Sequence, residues 1–159
     1  METIDALARR CGLNRRDTFG LSVAYGVALT SEFHGTKVGA AIMYKGRIIG
    51  SGANSYKSDT SQKLYNRRNR TFENLGRDLP PHIDGIHAEL KAIKSIGYTK
   101  TQETSFKSAR LYVVRISKGQ RYGIGLARPC PACMEAIREL GIRTVTYSTR
   151  DGFATERLI

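Results

Sequence analysis

Two cysteines three residues apart, in Pro129-Cys130-Pro131-Ala132-Cys133, open a stretch that reads as a helix, and that placement limits both the fold and the chemistry open to the chain. Pro131 suits the first helical position, where its missing N–H costs nothing. Met134, Ile137 and Leu140 then repeat at helical spacing, and Gly141 ends the run. Ala109 to Ile116, containing LYVVRI, reads as a strand before it, and Thr144 to Ser148 as a strand after it. Strand, helix, strand in that order implies a parallel crossover.

Upstream, residues 1 to 18 are polar and basic, and Phe19 to Phe33 carries Leu21, Val23, Ala24, Val27, Ala28 and Leu29 at helical spacing. Val38 to Met43 and Arg47 to Ser51 are β-like runs around Lys45-Gly46, a tight hairpin. From Ser55 to Pro81 the pattern is lost, and Pro80-Pro81 blocks any helix there, so the stretch reads as a long insertion or loop. Asp84 then suits the cap of a helix with Ile86, Leu90, Ile93 and Ile96 on one face, ending near Gly97, with His87 and Glu89 in its first turn. The order helix, hairpin, helix, strand, helix, strand predicts an α/β layer domain built on a mixed sheet. At 159 residues and 17.7 kDa the chain is expected to be one domain, 1–159. A basic insertion at about 55–81 and a loop insertion at about 117–128 decorate it.

Charge and cysteine content narrow the function. Lys and Arg total 26 against 14 Asp and Glu, a net charge of +12, which favours phosphate-bearing partners, whether free nucleotide or nucleic acid. Three cysteines, Cys11, Cys130 and Cys133, are too few for a disulfide framework. No apolar run is long enough to span a membrane, and METIDALARRCG lacks the apolar core of a secretory signal, so the chain is expected in the cytoplasm with no membrane partner.

On one helical turn the sulfurs of Cys130 and Cys133 face the same way, and His87 from another helix start completes three corners of a tetrahedron. Helix N-termini favour the thiolates that a metal needs. Two cysteines and a histidine with an open fourth corner describe a catalytic Zn2+ site better than a structural one, and zinc lowers the pKa of a bound water to about 7. Glu89, two residues beyond the histidine, can take the water proton and pass it to a ring nitrogen and a leaving amine. That chemistry is hydrolytic deamination.

His87-Ala88-Glu89 followed by PCPAC resembles the H-x-E and P-C-x-x-C signature of the zinc-dependent cytidine and deoxycytidylate deaminase superfamily. PCPACMEAIRELGIRTVTY is most similar to the deoxycytidylate branch. The resemblance implies a three-layer mixed sheet with helices on both faces. It implies His87, Cys130 and Cys133 as zinc ligands, Glu89 as the catalytic proton carrier, and release of ammonia from cytosine, with deoxycytidylate or a related free nucleotide as substrate. It also implies that Asn54 contacts the substrate sugar, that Ala88 offers main-chain groups to the base, and that the chain forms a homo-oligomer. The chain departs from the pattern in the forty residues between Glu89 and Cys130, and in the basic 55–81 segment, which lacks extra Cys and His for a second zinc.

Blander explanations stand beside these. Cys130 and Cys133 are open to a reduced structural pair or a redox motif, and Asn54 to a strand terminator. KLYNRRNRTF interleaves Tyr65 and Phe72 with Arg67, Arg68 and Arg70, which suits a solvated surface, the phosphate of a bound nucleotide, or a single strand of DNA or RNA. Lys57, Lys63, Lys118 and Arg121 are further unassigned cations. A deaminase of cytosine or adenine in single-stranded nucleic acid, tRNA included, is the alternative enzyme. A zinc-stabilised nucleotide or nucleic-acid binding module is the alternative without catalysis.

Overall fold

The computed structural model describes residues 2–69 and 85–158. β1 (Lys37–Tyr44) and β2 (Arg47–Ala53) form the hairpin expected around Lys45-Gly46. Both turn residues have positive φ, 52° and 77°, which a two-residue turn needs to match strand twist and which Gly46 adopts without strain. β1 also pairs antiparallel with β3 (Arg110–Ile116). β3 runs parallel to β5 (Thr144–Ser148), as the crossover requires, and β5 pairs antiparallel with β6 (Phe153–Arg157). The spatial order is β2-β1-β3-β5-β6, with the two-residue β4 (Ile124–Gly125) paired on β3.

Strand alternation sorts side chains to two faces. On one, Ala41, Met43, Tyr112 and Val114 meet Leu7, Ala8, Leu21 and Ala24 of α1 (Ile4–Arg10) and α2 (Arg15–Leu29). On the other, Ala40, Ile42, Leu111 and Val113 meet Ala88 and Ala92 of α4 (Ala88–Ser95) and Cys133, Met134 and Ile137 of α6 (Pro131–Leu140). Helices therefore cover both faces, which gives the three layers. Fully burying a side chain such as Ile137 contributes about 1.5–3 kcal/mol, so these cores hold α4 and α6, and whatever they carry, firmly to the sheet.

Several expectations change. The polar N-terminal segment contains α1, capped by Thr3, whose hydroxyl accepts the Ala6 N–H at 3.1 Å. α2 starts at Arg15 rather than Phe19, because Asn14 caps it and accepts the Asp17 N–H at 2.8 Å; it ends at Leu29, short of Phe33. The segment read as a loop from Ser55 contains α3 (Thr60–Arg68), and a short α5 (Tyr98–Glu103) follows α4. α4 begins at Ala88, so His87 occupies the cap position instead of the first turn. Asp84, the expected cap, lies outside the described residues, as do His82, Arg70, Phe72 and Pro80-Pro81. Among the described residues no helix is long and apolar enough to cross a membrane.

Candidate active site

Two helix starts meet at one point. Cys130 is the cap residue of α6, with Pro131 at its first position and Cys133 in its first turn. His87 caps α4 but makes no side-chain capping bond. The cap position usually favours Ser, Thr, Asp or Asn, whose side chains return to the helix amides. Here the ring points to sulfur: His87 Nδ1 lies 3.3 Å from Cys133 Sγ and 3.6 Å from Cys130 Sγ. The three donor atoms all fall within 4.8 Å of one another. Tetrahedral bonds of about 2.3 Å to sulfur and about 2.0–2.1 Å to nitrogen put N and S about 3.5 Å apart, so the ring nitrogen already stands from both sulfurs at the spacing that zinc would require.

Electrostatics match the donor set. The bond from Cys133 and the nearby imidazole outweigh burial at Cys130 and bring its thiol down to about 4, so that sulfur is a thiolate. The same bond, followed by burial, pushes Cys133 up, so the pair shares a proton that metal binding would displace. Burial opposes protonation of His87, but the Cys130 sulfur and the Glu89 charge outweigh it and the net direction is upward. Glu89 is 6% exposed, and burial raises its carboxyl above the ordinary range.

A pocket of about 300 Å³ opens onto this cluster, lined by His87, Ala88, Glu89 and Cys130, by Thr36, Val38 and Asn54 at the β1 and β2 ends, and by Arg115. Leu126, Ala127 and Arg128, which follow β4, complete its wall. The volume suits one nucleotide-sized ligand. A larger cleft of about 550 Å³ lies beyond Asn54, lined by Ser31, Glu32, Lys57 and Lys91 among others, but none of His87, Cys130 or Cys133 borders it.

Every residue expected at the site lies in or against this pocket. Asn54 is also built into the fold: its Oδ1 accepts the Val38 N–H at 3.0 Å and the Ser31 hydroxyl at 2.7 Å, and its Nδ2 donates to Thr36 O at 2.7 Å. One amide hydrogen is left over. Ala88, the first residue of α4, has an amide without an intrahelical partner. Among the described residues the expected loop cations do not gather here. Lys57 lines the other cleft, and Arg68 of α3 reaches Glu135 and Glu139 of α6, each at 3.2 Å.

Two residues escaped the sequence reading. Gln62 of α3 is fully buried and its side chain accepts the His87 backbone N–H at 3.0 Å. Arg115 follows Leu111 and Val113 at two-residue steps along β3, a period that already assigns it to the site face.

Residues 15–149 match the family model described as the cytidine and deoxycytidylate deaminase zinc-binding region. A solved structure of dCMP deaminase from the cyanophage S-TIM5 is 19% identical over 84% of this chain and 82% of its own, with a TM-score of 0.50. Cytidine deaminase from Burkholderia pseudomallei is 18% identical over 87% of this chain and 90% of its own, with a TM-score of 0.53. These two likenesses establish the shared fold. A comparison with curated proteins finds no match.

Proposed function

The chain belongs to the cytidine and deoxycytidylate deaminase family, and from that membership we propose that it hydrolytically deaminates cytosine on deoxycytidylate or a related free nucleotide. The observation that carries this reading is the convergence of His87, Cys130 and Cys133 beside a buried Glu89 in one nucleotide-sized pocket. His87 Nδ1 and the two sulfurs would hold zinc. When bound, zinc supplies the Lewis acidity that makes water a nucleophile near neutral pH.

The rest of the chemistry belongs to the chain. Water adds at C4 of the base while Glu89 carries one of its protons to N3; the proton of the hydroxyl now on C4 then passes through Glu89 to the amine, the C4–N4 bond breaks, C4 becomes a carbonyl and ammonia leaves. A carboxyl raised by burial is suited to both accepting and returning that proton. Ala88 lines the pocket, where its amide would meet the base, and the spare Asn54 Nδ2 hydrogen would meet a sugar hydroxyl. A binding module without catalysis has no use for a buried carboxyl at this place.

Deamination within single-stranded nucleic acid is favoured by the net charge of +12 and by the Tyr122 ring, which carries the guanidinium carbons of Arg10 and Arg121 each 5.2 Å from its centroid. One experiment separates the substrates. Purified protein is incubated with cytidine, deoxycytidine, their 5′-monophosphates and cytosine- or adenine-containing oligonucleotides, and products are scored by mass and ammonia. Turnover of deoxycytidylate is expected. Turnover confined to oligonucleotides, with binding that weakens steeply as salt rises, would replace it, and no turnover on any of them would reject deamination.

A further inference from the structure

β3 delivers a guanidinium to the pocket. Arg115 shares a strand face with Leu111 and Val113, which pack in the core beneath α4 and α6, and it lines the pocket together with His87 and Glu89. Its Nε is buried and has no hydrogen-bond partner among the described residues. Among the described residues its Nη2 reaches Thr36 Oγ1 alone, at 3.4 Å. β4 covers this edge: a methyl placed on Gly125 would lie 3.4 Å from Arg115 Cδ and 3.5 Å from Nε.

The second guanidinium of the pocket wall differs. Arg128 Nε donates to Glu156 Oε2 at 2.7 Å and its Nη2 to Oε1 at 3.1 Å, so that fork is already filled by a carboxylate. No ion pair of Arg115 is found among the described residues. Arg115 as a whole is half-buried, and at its buried Nε edge a neutral acceptor such as a base carbonyl would meet the N–H groups but leave the charge unanswered. A phosphate meets both, because its oxygens match the planar Nε and Nη2 edge. Arg115 pairs with Val38 across β1 and β3, and Val38 O in turn accepts the Asn54 N–H at 3.1 Å, so the cation and the amide stand at one level across three adjacent strands.

We propose that Arg115 binds the phosphate attached to the substrate nucleoside, which makes this a pocket for a nucleoside phosphate rather than for a nucleoside or free base. The proposal rests on the deaminase reading for the identity of the nucleoside, but its test is a binding measurement. Calorimetry on zinc-loaded wild type, Arg115→Gln and Arg115→Lys compares deoxycytidine, deoxycytidine 5′-monophosphate and the dinucleotide d(TpC). Arg115→Gln is expected to weaken the monophosphate by about tenfold to a hundredfold, to leave deoxycytidine within about twofold, and to be partly rescued by lysine. A loss on d(TpC) without one on the monophosphate assigns the same anchor to a strand. Equal losses on nucleoside and nucleotide, no loss on either, or no binding of any phosphate by wild type would overturn the assignment. Ammonia release is read in parallel: if phosphate binding depends on Arg115 and no probe is deaminated, the deaminase reading fails alone. If deoxycytidylate is turned over with an unchanged KM in Arg115→Gln, the anchor fails alone.

Discussion

The side-chain oxygen of Gln62 accepts the backbone N–H of His87 at 3.0 Å, and the Gln62 amide donates in turn to Asn66 Oδ1 at 2.9 Å. Both polar side chains are buried, at 0% and 1% exposure. α3 therefore helps to fix the residue that presents its ring to the two sulfurs. Replacing Gln62 by Leu removes the acceptor of the His87 N–H, at about 1–3 kcal/mol for a buried group left unpaired. Zinc affinity is expected to fall by about tenfold or more, as outer partners of metal ligands usually show. Chelator competition and thermal unfolding measure the two effects, and full zinc affinity in Gln62→Leu would contradict a positioning role.

α4 can approach the sheet because position 52 is glycine. A Cβ there would lie 2.8 Å from Ala92 N and 2.8 Å from Lys91 Cβ, so the helix would have to move. Gly52→Ala is expected to cost about 1–3 kcal/mol and to weaken zinc binding with it, since α4 carries the histidine. Urea unfolding with parallel zinc titration checks this, and unchanged values would show that the helix gives way freely.

On the opposite face the Tyr112 hydroxyl donates to Asp17 Oδ1 at 2.6 Å, beside Arg110 at 3.1 Å. Burial first, and then the bond to Asp17, push the Tyr112 phenol above its ordinary value. The folded state thus holds the proton longer than the unfolded state, whose phenol ionises near pH 10. The stability from this group is complete below about pH 10 and is lost as pH rises past it. Tyr112→Phe is expected to cost about 1–2 kcal/mol at neutral pH, and the difference from wild type should shrink in alkali. Urea midpoints at about pH 8 and pH 10.5 test it; a constant difference would contradict the linkage.

Arg68 binds Glu135 and Glu139 at the surface, with its side chain 47% exposed. An exposed pair of this kind contributes about 0–1 kcal/mol, so Arg68→Ala should barely move the melting temperature. Oligonucleotide binding should also stay the same, because this cation already has partners. Gel-shift titration at low salt is the check, and a large loss of binding would return the segment to the nucleic-acid interface.

Where chemistry and hydrophobic period coincide, the sequence was sufficient. PCPAC ahead of Met134 and Ile137, HAE ahead of Leu90, and Lys45-Gly46 between two apolar runs each specify a local structure that the packing then uses. α3 was illegible because its buried residues are Gln62 and Asn66, which a hydrophobic pattern reads as solvent-facing. α1 buries only Leu7 and Ala8 amid charge, and β6 has no fully buried residue, so neither carries a periodic signal. Charge runs point to the basic loops for phosphate, whereas β3 alternation puts Arg115 in the pocket, where a single arginine in an apolar strand carries no charge-run signal.

Zinc content and deamination measured on the same samples test the central claim most directly. Wild type should carry one zinc per chain, His87→Ala, Cys130→Ser and Cys133→Ser should lose it, and Glu89→Ala should keep it while turnover of deoxycytidylate disappears. Zinc that survives loss of those ligands, or a Glu89→Ala protein that deaminates at the wild-type rate, would contradict the account.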